Sequence, residues 1–327
     1  MSLGGARLPL AVATLLTAAL AVLAVRTLDA GAVGDALGEA DLRWLVPSLL
    51  ALAVAFVLRV LRWQLIFQPG RRPPVGEVTG SLAIGLFFNA ILPFRAGELA
   101  RLVVLHRRTR VPRLEILGTI AAERIYDVLA LLVLLAAAVP WLPDVSWLRA
   151  VALAGGILAL VSAALSAALF VWGERAVAVV LWPLRFLRSF PEERRAAAAE
   201  NLLLGVAALH RPRAAAVAAG VTLASFLAYW ASYWFLLQGF DLGVGGAAAL
   251  LVVVATGFSL AVPSGPSAVG VWEAAVIVAL LPFDVAAEAA LSYGLVLHAV
   301  NVVPYLAAGL VALALMRGSI VARDGGA

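Results

Sequence analysis

The chain has 327 residues, of which 64% are hydrophobic and 13% charged; its 24 basic residues are all arginine, and the formal net charge is +5. So apolar a composition excludes a soluble globular domain, and the lack of cysteine excludes disulfides and thiolate metal centres. Orientation in a membrane accounts for the positive charge, so no nucleic-acid partner is needed.

Uncharged runs long enough for a bilayer-spanning helix, which takes roughly 20 apolar residues, recur from end to end. The first span covers 8–26; it lacks a convincing small-residue cleavage site and many further spans follow, so it reads as a helix rather than a signal peptide. A short outer-face segment around 31–42 precedes the second span at 44–68. Next comes a polar break, "NAILPFRAGELAR", inside the apolar stretch 78–106. The third span is 114–139 and the fourth 149–172. Segment 173–213 has the pattern of cytoplasmic amphipathic helices on the membrane surface. The fifth span is 214–239, a second broken stretch at 246–281 contains "VPSGPSAVG", and the sixth span is 285–316.

Charge assigns the sides. Segments 29–43, 140–149, 241–245 and 282–288 carry Asp29, Asp35, Glu39, Asp41, Asp144, Asp241, Asp284 and Glu288, with only Arg43 and Arg149 against them. Segments 71–77, 107–115, 173–213 and 317–327 are arginine-rich, which predicts that they and both termini are cytoplasmic; the expected location is the plasma (inner) membrane. Segments 71–77 and 107–115 then lie on one side, and the chain between them is too short for two full crossings and a turn. It therefore reads as a re-entrant hairpin whose tip is "LPFRAGE"; by the same logic 246–281 enters from the outer face. The predicted fold is an all-α polytopic membrane protein, about six spanning helices plus two oppositely oriented re-entrant hairpins. Together they form an inverted repeat in one transmembrane domain, 1–327, with halves at about 1–148 and 149–327.

Charges inside the spans are the candidate site, since each costs roughly 2.5–3.5 kcal/mol at mid-bilayer on insertion scales. Arg95, Glu98 and Arg101 follow at i, i+3 and i+6 beside Asn89, on a returning half-helix whose N-terminus points into the membrane. Glu123, Arg124 and Asp127 share the third span and either lock it to its neighbours or line a polar cavity. Arg59 and Arg62 either join that site or snorkel to inner-leaflet phosphates. Gly270 and Glu273 belong to the second hairpin. His298, Asn301 and Tyr305 form one stripe, an inter-helix seam or a polar wall. Arginines and exposed hairpin amides suit an anionic headgroup; Glu98, Glu123, Glu273 and His298 are candidates for a proton relay. No nucleotide-binding P-loop, HExxH zinc motif or GxSxG elbow occurs, so neither an ATPase, a metal, a cofactor nor a catalytic residue is expected.

The stretches "RVLRW" (59–63), "NAILPFRAGELAR" (89–101), "ERIYD" (123–127) and "PSGPSAVGVWEAA" (263–275) resemble the flippase-like transmembrane domain of lysylphosphatidylglycerol synthases, in order and spacing over nearly the whole chain. Phe94 and the "SGPSAVG" tip depart from the family pattern. The resemblance implies two re-entrant helix pairs around a lipid cavity, in a stand-alone member without the synthase domain. The expected function is then a non-enzymatic lipid translocase moving a phospholipid or polyprenyl-phosphate-linked lipid between leaflets, downhill or proton-coupled. Expected partners are that lipid, anionic lipids at the cytoplasmic face, and a second copy or a lipid-synthesising enzyme. An intramembrane headgroup transferase or hydrolase with Glu98 or Glu123 as base, an ion- or solute-coupled transporter, and a non-transporting scaffold are the alternatives.

Overall fold

A computed structural model describes residues 30–141, 197, 200–202, 204–206, 211–260 and 264–324. The expected first and fourth spans and most of segment 173–213 lie outside the described residues. Among the described residues every regular element is helical. The helices are α1 (Ala30–Glu39), α2 (Leu45–Ile66), α3 (Val75–Ile91), α4 (Gly97–Thr109) and α5 (Arg113–Ala138), then α6 (Pro212–Gly239), α7 (Gly246–Ser259), α8 (Val271–Leu280) and α9 (Ala287–Asp324).

Proline and glycine set the breaks. Leu92 precedes Pro93, which pushes it out of the helical region to φ −112°, ψ 144° and ends α3. A 3₁₀ turn, Pro93–Arg95, follows, and Arg95 adopts a left-handed φ of 53° before α4 begins. In the second break the turn Pro266–Ala268 has Ser267 at φ 53° and Ala268 at φ 59°, and Gly270 at φ 83° starts α8. Three non-glycine residues in this sparsely populated region at two tips is a concentration of backbone strain, about 1–3 kcal/mol each.

α3 and α4 rise about 26 and 20 Å, and α7 about 21 Å, each short of the roughly 30 Å hydrocarbon layer. The feet of α3 and α4 are clasped: Arg108 donates to both oxygens of Glu77 at 2.6 Å. Arg71 reaches Glu115, at the start of α5, at 2.7 Å, so segments 71–77 and 107–115 meet at one end of the molecule. At another point the Asp41 amide donates to Gly239 O, joining segment 29–43 to the end of α6.

By length and composition four described stretches can cross a membrane: Leu42–Ile66, Pro212–Phe240, Pro266–Phe283 and Ala287–Met316. The protein is a multi-pass helical membrane protein. Two stretches differ from the reading of the sequence. Pro266–Phe283, expected as half of a hairpin, is long and apolar enough to cross when its flanking 3₁₀ turns are included. α5 has ample length, but Glu123, Arg124 and Asp127 interrupt its apolar face.

Small residues let the helices approach, as packing inside a bilayer requires. α2 runs along α6, with Ser48 and Ser232 hydroxyls 2.9 Å apart in the interior. α9 crosses α3 at Gly309, where a side chain would press on Phe87 and on Ala83 O. α7 crosses α5 at Gly257, against Leu131. One apolar core gathers around α6–α9 (Leu236, Val252, Val276, Tyr293) and another around Trp63, Phe67, Leu105 and Ile116.

The closest approach within the first hairpin is Gly97 against α3. A β-carbon there would overlap Gly85 O and lie 2.6 Å from Asn89 Oδ1. Gly97→Ala is therefore expected to force the two arms apart at a cost of about 1–3 kcal/mol. Thermal unfolding of the detergent-solubilised protein checks this; an unchanged midpoint would mean that the arms do not need that contact.

Candidate functional site

The interior charges expected from the sequence converge where α2, α4 and α5 meet. Arg62, on α2, is fully buried and donates to Glu123 Oε1 at 2.9 Å and to Asp127. Glu123 Oε2 lies 2.6 Å from Arg101 Nη2, and Arg101 Nε lies 2.7 Å from Glu98 Oε2. Glu98 Oε1 is 3.4 Å from Arg124, whose other nitrogen is 3.3 Å from Asp127. The pairs close a ring: Arg62, Glu123, Arg101, Glu98, Arg124, Asp127 and back to Arg62. Three guanidinium groups alternate with three carboxylates, so the ring is formally neutral. That alternation is the arrangement in which buried ions best recover their desolvation cost. Arg101 also lies over the Trp63 ring at 4.7 Å, and the Trp63 indole donates to Thr119 at 3.0 Å.

Two further arginines stand beside the ring. Arg95, at the strained tip, has Glu98 as its ion-pair partner at 3.7 Å. Arg59, one turn before Arg62, donates to the Tyr229 hydroxyl at 3.1 Å, and Tyr229 is 2.7 Å from the Tyr305 hydroxyl.

Arg59 and Arg95 both face a cavity of about 420 Å³ in the middle of the helices. Arg62, Asn89, Arg124 and Asp127 also line it. The second tip closes another side through Ser264, Gly265 and Ser267, and α9 contributes His298, Asn301 and Tyr305. The tips touch: the Ser267 hydroxyl donates to Ala90 O, at the end of α3, at 2.8 Å. Leu86, Leu131 and Val253 make much of the remaining wall apolar.

Several expectations change. Arg101, read with Arg95 as a headgroup contact, is 2% exposed and belongs to the ring; Glu98 and Glu123 likewise stand behind the cavity wall. Arg62 does not snorkel, because Glu123 and Asp127 hold it in the interior, and Arg59 stands half-buried on the cavity wall. Glu273 and Gly270 do not line the cavity. Glu273 Oε2 accepts the Gly270 N–H at 2.7 Å, capping α8, and Oε1 lies 2.5 Å from His298 Nδ1. The helix start needs that acceptor, so the carboxylate turns back on its own backbone.

In the α9 stripe both readings hold in part. His298 pairs with Glu273 and stacks on Trp272, Asn301 donates to Leu297 O, and all three stripe residues also reach the cavity. Tyr229 and Ser267 join the site although neither is among the candidates that the sequence offers. A signal existed for Tyr229: Ser225, Tyr229 and Tyr233 recur at i, i+4 and i+8 on one face of a greasy helix.

Among the described residues no group of three His, Cys, Asp or Glu side chains is placed to hold a metal ion.

The fold and the cavity define a multi-pass helical membrane protein with a charged interior site under two broken helix pairs. The chain belongs to the family described as the lysylphosphatidylglycerol synthase TM region, whose family model matches residues 10–309. It is also similar to "Glycosyltransferase AglD" of Haloferax volcanii, with 29% identity over 126 residues, covering 38% of this chain. The match spans 20% of that relative's length. No solved structure matches the chain.

Proposed function

We propose that the protein is a lipid translocase that carries a phospholipid or a polyprenyl-phosphate-linked lipid between the leaflets of the plasma membrane. The observation that carries this is the pairing of Arg59 and Arg95 in a cavity whose other wall is largely apolar. Guanidinium forks match phosphate oxygens in a desolvated site, and the apolar wall suits the start of the acyl or prenyl chains. Arg95 sits just before the N-terminus of α4, which adds its positive dipole end to the same place.

Both broken pairs, α3–α4 and α7–α8, are read as re-entrant hairpins that enter from opposite faces, with both termini cytoplasmic. The short arms and the clasped feet of the first pair support this. An inverted repeat is supported by the packing: exchanging α3 with α7 and α5 with α9 turns the α3–α9 contact into the α7–α5 contact, and the tip-to-tip contact maps onto itself. Broken backbone at that depth is tolerable where it lines a polar cavity.

The function is transport rather than chemistry. A headgroup transferase would need a free base on the cavity wall; Asp127, the carboxylate there among the described residues, is held between Arg62 and Arg124, and His298 is engaged by Glu273. A second copy of the chain or a lipid-synthesising enzyme is the proposed partner, and anionic lipids flank its basic cytoplasmic face.

Reconstitution into vesicles with headgroup-labelled lipids tests the proposal. Leaflet exchange well above that of protein-free vesicles is expected for a phosphate-bearing lipid; exchange at the protein-free rate across such headgroups overturns it. Coupling to the proton gradient is proposed to act through Glu273 and His298, which join α8 to α9 at the cavity. His298→Gln is then expected to retain exchange but lose its stimulation by a pH gradient. A gradient response equal to that of the unmodified protein would place coupling elsewhere.

A further inference from the structure

The charges around the cavity bear on the ionic form of its ligand, given the reading above that a lipid headgroup enters there. Glu98, Glu123 and Asp127 are matched one for one by Arg62, Arg101 and Arg124 around the closed ring. Arg59 and Arg95 are left over. Arg59 has the neutral Tyr229 hydroxyl as its hydrogen-bond partner, and Arg95 reaches only to 3.7 Å from a Glu98 already paired at 2.7 Å with Arg101. Glu273, on α8, does not line the cavity; it accepts from the Gly270 amide and lies against His298. Among the described residues the ring and the cavity wall together therefore carry two surplus positive charges, both on the wall.

Uncompensated charges in a low-dielectric cavity are costly, and a ligand that cancels both is favoured over one that cancels one. We propose that the substrate is a lipid phosphomonoester, bound as its dianion between Arg59 and Arg95, rather than a phosphodiester or an aminoacylated lipid. A phosphomonoester loses its second proton near pH 6 and presents three oxygens, enough for two guanidinium forks. A phosphodiester monoanion leaves one arginine unmatched. An aminoacyl headgroup brings cations to a wall whose carboxylate, Asp127, is already committed to Arg62 and Arg124.

The same dianion chemistry occurs in lipid monophosphates and in free phosphate, so the test separates them. The full chain in phosphatidylcholine nanodiscs at pH 8 is titrated with phosphatidic acid, a polyprenyl monophosphate, phosphatidylglycerol, phosphatidylethanolamine and inorganic phosphate. Both lipid monoesters are expected to bind at least about tenfold more tightly than phosphatidylglycerol or phosphatidylethanolamine. Arg59→Gln or Arg95→Gln, each removing one surplus charge, is expected to reduce that preference about tenfold. The comparison among lipids on the unmodified chain stands even where a variant fails to fold. Equal binding of monoester and diester overturns the inference, as does binding of inorganic phosphate as tight as that of phosphatidic acid. Exchange of diesters in vesicles without a monoester preference would refute this inference alone; exchange of no phosphate-bearing lipid would refute the translocase reading.

Discussion

Glu123→Ala is expected to lower the unfolding temperature by roughly 5–10 °C, the largest single loss of stability among the interior charges. Glu123 is fully buried and holds two guanidinium groups at once, Arg62 at 2.9 Å and Arg101 at 2.6 Å. Removing one partner of a buried pair costs about 3–5 kcal/mol, chiefly because the remaining charge stays desolvated and unpaired. Here two such charges remain, on Arg62 with no exposed surface and on Arg101 with almost none. The ring also ties α2 and α4 to α5, so its loss loosens three elements together. Glu123→Gln keeps the shape and one hydrogen-bonding oxygen and should fall between the alanine variant and the unmodified protein. Tryptophan fluorescence of the solubilised protein during heating is a direct readout. A shift under about 2 °C for Glu123→Ala would mean that the ring does not hold these helices together.

The double variant Arg59→Gln/Arg95→Gln is expected to do the opposite: to spare stability and abolish transport. Neither side chain is a member of the neutral ring, and both are partly exposed to the cavity. Each hydrogen-bonded contact to a charged group contributes about 1.5–3 kcal/mol, so losing both should slow headgroup transfer a hundredfold or more. Vesicle exchange measured alongside thermal unfolding separates the two effects. Exchange at the unmodified rate would remove these arginines from the transport path. A loss of exchange that appears only with a collapsed unfolding temperature would make them structural instead.

The contrast expected between the two variants rests on what separates the ring from the cavity, and little of that is visible in the linear chain. The periodicity of Arg95, Glu98 and Arg101 puts them on one helical face, yet α4 starts only at Gly97. Arg95 lies in the preceding turn with a positive φ, which swings it off that face and onto the cavity wall, while Arg101 is drawn inward to Glu123. Arg59 and Arg62 are likewise one turn apart, and that Arg62 alone of the two joins the ring depends on where α5 packs against α2. Glu273 reads in the sequence as an interior acid like the others. Its role as the α8 cap depends on Gly270 leaving the amide free to be accepted, a local geometry that spacing alone does not reveal.

The helix breaks were far more legible. Pro93 ends α3 through its steric effect on Leu92, and a Gly-Pro pair with Gly270 opens the second tip; both are short-range effects that act wherever those residues occur. The charge segregation between connecting segments and the apolar length of the spans are also properties of the chain itself, because the bilayer reads them one segment at a time. The sequence by itself therefore determined a helical multi-pass membrane protein, the places where its helices break, and which charges fall within its apolar stretches. Only the tertiary structure decided how those charges pair. Electrostatic partnership is a matter of ångströms between side chains on different helices, and it took the packing of α2, α4 and α5 to neutralise six of them and leave Arg59 and Arg95 facing the cavity.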